Sequence, residues 1–197
     1  YIGATPTAVP LTGADIEDGT VQIADLAATG TKDATTFLRG DGTFAEAGGT
    51  NTPAFSATTS TSQRSLTSNT AVKVDYDTVD FNIGVTYDTS NKRFTVPSGG
   101  AGKYFFSATA RLEDNGDNNT FSKMGIFIYK NGSTALQYLL ETSTSEFQGF
   151  NNRINVNGIL DLAVSDYVEV YALVHNTAWD VETEATNKFQ GFKLIGV

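Results

Sequence analysis

Residues 94–106, with the sequence FTVPSGGAGKYFF, constrain the fold more than any other segment of the chain. Aromatic and β-branched residues, which favour strands, stand on both sides of a turn rich in proline and glycine. Pro97 cannot donate to a central ladder, and the glycines supply the backbone freedom that a tight reversal needs. The segment therefore predicts two strands joined by a turn, with Phe94, Tyr104 and Phe106 in a core or a subunit interface.

The pattern of strand followed by turn continues from residue 54 to the C-terminus. Turn residues recur every ten or so positions, and Lys130-Asn131-Gly132 is a strong hairpin signal after the most apolar run. That run contains Phe127, which is expected in a core or a subunit interface like the other aromatic rings at alternating strand positions. No periodic stretch of helix length stands between the strands, which argues against a parallel α/β sheet. The sequence predicts an all-β sandwich or barrel, with strands at residues 55–60, 71–76, 80–85, 93–96, 103–112, 123–129, 135–141, 152–162, 167–174 and 189–195.

Several of these segments together resemble a known family. FTVPSGGAGKYFF, the IYKNG of residues 128–132, the LDLAVSDYVEV of residues 160–170 and the FQGFKL of residues 189–194 are similar to the globular head of the complement q subcomponent. The resemblance implies a jelly roll of the tumour-necrosis-factor type, in a family that usually forms trimers and binds partners without catalysis. Ser165 stands where that family usually has glycine, which puts the geometry of its turn in doubt.

Residues 1–50 differ from the rest of the chain in charge and in the spacing of their apolar residues. They carry two basic and seven acidic residues, and their apolar side chains are sparse and isolated. Such a segment can hardly bury enough surface alone to offset the entropy lost on ordering. It is either a flexible linker or a stem that folds by intertwining with copies of itself, and the recurring apolar residues favour the stem. A helical turn ending at Gly30 is expected here, and a domain boundary that separates residues 1–50 from 51–197.

Residues 36–45, TFLRGDGTFA, resemble an element of bacteriophage fibres and other virion proteins that precedes a distal domain. Taken together, this resemblance and that of the C-terminal head imply an exterior virion protein. It would be a homotrimeric fibre or spike head that binds a bacterial surface receptor, with a glycan as one candidate. The segment before the head would then contact other virion proteins. The alternative is a head-fibre or capsid-decorating protein with a role in assembly. Arg39-Gly40-Asp41 is also the integrin tripeptide, but inside this element its glycines are interpreted as turn formers.

Charge and composition argue against several other partners. The net charge of −9 offers no basic stripe for nucleic acid, and no apolar run approaches the roughly 20 residues of a spanning helix, so no membrane insertion is expected. The chain has no cysteine, which excludes disulfides and thiolate metal sites.

Catalytic and metal-binding patterns were weighed and set aside. The single histidine, His175, excludes a two-histidine zinc site, and no nucleophile elbow or phosphate loop is present. Residues 114–119 (DNGDNN) offer oxygen ligands for calcium, yet Gly116 stands where a ligand is needed. Glu182 and Glu184 share one loop, where a pair of acids is more often solvated than catalytic. The expectation is a protein that is no enzyme and has no metal and no cofactor.

The long polar loops of the head are the predicted receptor-binding region, because strands of a jelly roll are committed to packed sheets. These loops are residues 114–120, 142–152 and 176–187. The candidate receptor-binding residues combine aromatic rings with acidic side chains: Phe147, Phe150, Trp179, Asp180, Asp114 and Asp117.

Overall fold

The computed structural model describes residues 27–46, 51–114, 120–141, 147–148, 152–175, 178–184 and 186–195, and the chain divides into two units at residues 49 and 50. Within the described residues every regular element is a strand. The sixteen strands are β1 (Thr36–Leu38), β2 (Phe44–Glu46), β3 (Ala54–Thr58), β4 (Gln63–Leu66), β5 (Val72–Lys73), β6 (Thr78–Ile83), β7 (Arg93–Thr95), β8 (Gly102–Asp114), β9 (Thr120–Phe121), β10 (Lys123–Lys130), β11 (Ser133–Glu141), β12 (Phe147–Gln148), β13 (Asn152–Leu162), β14 (Tyr167–Val174), β15 (Trp179–Val181) and β16 (Lys188–Lys193).

The first unit contains an antiparallel hairpin, β1 paired with β2. None of residues 27–46 is buried, and Phe37 is 60% exposed. The helical turn expected before Gly30 is wrong for its described part, since Thr29 instead forms a parallel bridge with Thr43. Gly30 has φ +93°, and a Cβ there would lie 2.3 Å from the Phe44 carbonyl oxygen, so glycine is required by this close approach.

The second unit is a sandwich of two sheets. In the seven-stranded sheet, β6, β3, β16, β8 and β13 lie side by side, while β15 pairs with the last residues of β8 and carries β4 at its edge. In the five-stranded sheet, β11, β10 and β14 lie side by side, and β5 and β7 pair with different parts of β14. Thus the all-β sandwich that the turn spacing predicts is confirmed.

The core lies between the two sheets and is built by alternation. In β8, every second residue from Tyr104 to Leu112 is fully buried, while the residues between them face outward. An aromatic cluster fills the centre, where Phe55 stacks on Phe94 at 5.0 Å and meets Phe189 edge-on at 4.9 Å. The predicted burial of Phe94, Tyr104, Phe106 and Phe127 is confirmed.

Three details of the predicted strands are corrected by the structure. Residues 71–76 contain a strand at Val72–Lys73 alone, although Val74 and Tyr76 still point into the core. Phe127 is buried on the outward face of the five-stranded sheet rather than between the sheets, and its ring lies over Gly125, where a Cβ would be 2.8 Å from Phe127 Cζ. Residues 179–181, predicted as loop, form β15.

Candidate assembly face and candidate receptor-binding loops

The strands that flank the three polar loops all end at one end of the sandwich, called the distal end here. Lys123 is opposite Glu141, Met124 is opposite Val174, and Leu112 is opposite Asn152. Therefore the connections 115–122, 142–151 and 175–178 all leave the sheets at this same end.

The chain enters the sandwich at the opposite, proximal end. There Lys193 N donates to Pro53 O at 3.0 Å, just before β3 begins, and Leu194 N donates to Lys103 O at 2.9 Å. The turn between β13 and β14 lies at this end too, where Ser165 N donates to Val96 O. Hence the first residues of the second unit and the predicted receptor loops are separated by the full length of the strands.

Four of the six candidate receptor-binding residues lie in the distal connections or, for Asp114, directly before one. Asp114 is the last residue of β8, and Phe147 begins the short strand β12, which pairs with β9. Asp117 and Phe150 lie outside the described residues. For these four positions the receptor-binding role stays a prediction.

Trp179 is placed differently from the prediction, because it lies in β15 and its side chain is fully buried. Its backbone pairs with Asp114 on one side and Leu66 on the other, and its indole Nε1 donates to Thr67 O at 3.1 Å. Its predicted position in an exposed loop is wrong: the ring fills the distal end of the core and cannot contact a receptor in the folded domain. Polar neighbours in the sequence concealed the three-residue strand.

Asp180 is likewise corrected, since its side chain is buried. Its Oδ1 accepts from Ser65 N at 2.6 Å, and its Oδ2 accepts from Arg64 at 2.8 Å. A buried carboxylate is tolerated only when it is paired in this way. The residue therefore ties β15 to β4, and this role could not be predicted because Arg64 lies far away along the chain.

Further ion pairs lie at the distal end, around Arg64 and around Glu184. Arg64 also pairs with Glu182, and Glu184 bridges Arg111 at 2.7 Å and Arg153 at 2.6 Å. The pKa of Glu184 lies below its usual value, chiefly because Arg153 donates a hydrogen bond to it. Each of these two acids is thus paired with arginine and ties strands together, whereas the sequence suggested a solvated pair.

The outward face of the seven-stranded sheet carries an unusual row of apolar side chains, here called the apolar row. The register places five residues side by side across five strands. Ile159 is 55% exposed and Ile83 is 53% exposed, and the Phe105 and Phe192 rings lie 5.5 Å apart. The members of the row, in spatial order, are Ile83, Ala54, Phe192, Phe105 and Ile159.

Toward the distal end this face becomes polar on β16, β8 and β13, while β6 still presents Phe81, which is 47% exposed. The next row places Gln190, Ser107 and Asn157 side by side, and is called the amide row. Farther on, Arg111 stands opposite Arg153. The face as a whole, called the assembly face, thus changes from apolar at the proximal end to charged at the distal end. This face was not predicted from the sequence, although the consecutive aromatic residues of KYFF already require one ring, that of Phe105, to point away from the core.

The described residues contain no group of three or more His, Cys, Asp or Glu side chains arranged to hold a metal ion. Residues 114–119, whose calcium interpretation was set aside above, fall almost wholly outside them. His175 is half-buried just after β14, where its backbone N–H donates to Lys123 O at 2.9 Å. Among the described residues no helix is long and apolar enough to cross a membrane.

The Arg39-Gly40-Asp41 tripeptide forms the turn of the first unit's hairpin. Asp41 Oδ1 accepts from Thr43 N at 3.0 Å and from Thr43 Oγ1 at 2.7 Å, while Gly42 has φ +79°. Asp41 is therefore a turn former, which accounts for the tripeptide without an integrin.

Comparison with known proteins agrees with this architecture. The crystal structure of murine APRIL at pH 5.0 superposes with a TM-score of 0.52 at 14% identity, covering 72% of this chain and 98% of that one. At this identity the likeness shows the fold, a jelly roll of the tumour-necrosis-factor type. No curated protein matches the chain by sequence. The sequence profile of the C1q domain matches residues 54–194, well over half of the chain, and the protein therefore belongs to the C1q domain family.

Proposed function

We propose that this protein is the homotrimeric head of a bacteriophage fibre or spike, which binds a bacterial surface receptor through its distal connections. Domains of the C1q and tumour-necrosis-factor type typically form homotrimers and are typically ligand-binding or structural rather than enzymatic. The assembly face supplies a surface for that trimer: Ile83, Phe192 and Ile159 of its apolar row are exposed in the single chain, and burying them against other copies removes that area from water.

The observation that carries the proposal is that the two ends of the sandwich differ. The head receives the chain at the proximal end, while the three polar connections leave the strands at the distal end. In a cyclic trimer all three copies point the same way, so nine such connections are presented together at one end. Multivalent presentation of this kind strengthens weak contacts with a repetitive bacterial surface such as a glycan.

The first unit fits the role of a stem. Its hairpin has no buried residue, and Phe37 and Leu38 are exposed, so intertwining with two further copies is the means by which it gains a core. A head trimer would hold the three hairpins at high effective concentration and so favour their association. Contact of this segment with other virion proteins, and the virion exterior as the location, follow from the same proposal.

Adsorption to bacterial cells tests receptor binding. Labelled protein carrying Phe147→Ala and Phe150→Ala should bind a panel of bacterial strains more weakly than the wild type while keeping its mass in light scattering. The matched control is Val164→Ala, since Val164 is exposed at the proximal turn and should leave adsorption unchanged. Unchanged adsorption in the double variant would contradict the distal placement of the receptor site.

One observation favours the alternative of a head-fibre or capsid-decorating protein. Trp179 and Asp180, two of the six candidate receptor residues, serve the fold and not the surface. Immunogold labelling of phage particles that carry the protein distinguishes the two functions. Label at the tips of fibres supports receptor binding, whereas label over the capsid together with wild-type adsorption of protein-free particles supports decoration.

A further inference from the structure

The amide row is the part of the assembly face that hydrophobic burial does not explain. Gln190 and Asn157 are exposed and stand on either side of Ser107, between the apolar row and the two arginines. Amide groups that become buried in an interface lose free energy unless they find hydrogen-bond partners. If the centre of this face becomes buried on association, these amides therefore need hydrogen-bond partners from the other copies.

The hydrogen bonds within the chain leave part of this row unused. Asn155 Nδ2 donates to Ala108 O at 3.0 Å and Thr109 Oγ1 at 2.9 Å, and Asn157 Nδ2 donates to Asn155 Oδ1 at 2.9 Å. Within the described part of the chain, the carbonyl of Asn157 and both ends of the Gln190 amide have no partner. These groups offer donors and acceptors toward the outside of the sheet.

Rotational symmetry makes amides well suited to this place. Near the axis of a cyclic assembly, a side chain meets its own copies. Like charges repel there, whereas an amide donates and accepts, so three identical amides can satisfy one another. We propose that Asn157 and Gln190 form an interchain hydrogen-bond network that fixes the level at which three copies of this chain align; this inference rests on the proposed trimer.

The apolar row does not fix that level by itself, because apolar contact has no direction. A slip by one side-chain row is a translation of about 7 Å along the strands, and it still leaves apolar surface against apolar surface. After such a slip the amides face apolar side chains and are left unpaired. A single buried Asn sets register and oligomeric state in coiled coils by the same penalty on misaligned states.

The test compares four variants of the full chain by sedimentation velocity. Asn157→Asp should raise the dissociation constant of the trimer at least about tenfold at neutral pH, since three carboxylates then meet. Association should recover as pH falls toward about 4, where the carboxylates protonate. Gln137→Glu is the matched control, because Gln137 is an exposed strand residue of the five-stranded sheet and its charge should leave the mass unchanged.

Asn157→Leu tests alignment separately from affinity. This variant should keep or strengthen association but lose the single trimeric species, giving a broadened distribution of masses. Ile159→Asp, in the apolar row, tests the assembly face itself and should dissociate the trimer. If Ile159→Asp dissociates the protein while Asn157→Asp does not, or if Asn157→Leu remains one trimeric species, the alignment role is overturned. If Ile159→Asp keeps the wild-type mass, the assembly face is wrong.

Discussion

At the scale of single residues, the head depends on aromatic side chains that few other residues can replace. Phe106 has no exposed surface and lies 5.7 Å from the Phe94 ring and 6.1 Å from the Phe189 ring, centroid to centroid. On its other side it packs on Gly191, where a Cβ would lie 2.5 Å from Phe106 Cδ1. The glycine of the FQGF segment is thus explained by the ring that covers it.

Phe106→Ala should lower the free energy of unfolding by roughly 3–5 kcal/mol, through lost burial and the cavity left behind. Denaturant unfolding measures this loss. Tyr138→Ala is the control, because Tyr138 is 44% exposed on β11 and its truncation should cost much less. Equal effects of the two variants would show that the register of β8 is misassigned.

Ser165 stands where the motif that the sequence resembles usually has glycine, and the structure shows how the turn persists. Its φ is +71°, in the left-handed region that favours glycine. Ser165→Gly should therefore raise the free energy of unfolding by up to about 1 kcal/mol, after allowance for the greater entropy of glycine in the unfolded chain. A lower midpoint of thermal unfolding in the variant would mean that the serine side chain stabilises the turn.

At the scale of elements, the two turns at the proximal end are tied together. Asp166, in the turn between β13 and β14, accepts from Asn131 Nδ2 at 2.7 Å and pairs with Lys130 Nζ at 2.9 Å. Asn131 Oδ1 in turn accepts from Tyr167 N at 2.9 Å. The KNG hairpin and the following SD turn, far apart in sequence, thus form one hydrogen-bonded unit.

This unit predicts a dependence of stability on pH. The hydrogen bonds from Asn131 and Lys130 lower the pKa of Asp166 to about 2. Because the folded state holds this carboxylate ionised, its stabilisation is present above the ordinary pKa near 3.8 and is lost as pH falls toward about 2. Asp166→Asn should remove that component, so the stability difference between wild type and variant should shrink between about pH 4 and pH 2. A difference that stays constant across this range would contradict the assignment.

How far the sequence predicts the elements depends on whether their signal is local. Alternation in β8 and the turn chemistry around Gly132 are local, so strands, turns and the buried rings of Phe94 and Phe106 could be predicted. The burial of Trp179 could not be predicted, because it results from the pairing of β15 with β8 and β4, which are distant from it in the sequence. The apolar row was hidden for the same reason: its members come from five strands and become neighbours through register alone.

At the scale of the whole molecule, a head with two different ends follows a first unit whose described residues, 27–46, include none that is buried. The two units share one requirement, since each leaves apolar side chains exposed in the single chain: the apolar row in the head, and Phe37 and Leu38 in the hairpin. Association of identical chains satisfies both at once. Without disulfides, such association is also a source of stability for a protein outside cells.

Catalysis has no place in this account, and His175 offers a check. His175→Ala should leave the adsorption of the protein to bacteria unchanged. The imidazole lies at a strand end, and the hydrogen bond to Lys123 O is donated by the backbone N–H of residue 175, which alanine keeps. Adsorption and any degradation of surface polysaccharide are measured on the same cells. A selective loss of either activity in a folded variant would contradict the expectation that the protein is no enzyme.

Light scattering of the full chain tests the central claim, the homotrimer built on the assembly face, most directly. The account predicts a mass about three times the 21.0 kDa of one chain, and a fall toward that of a single chain when Ile159→Asp places a charge in the apolar row. A clean monomer of the wild type at about micromolar concentration would contradict both the head trimer and the intertwined stem.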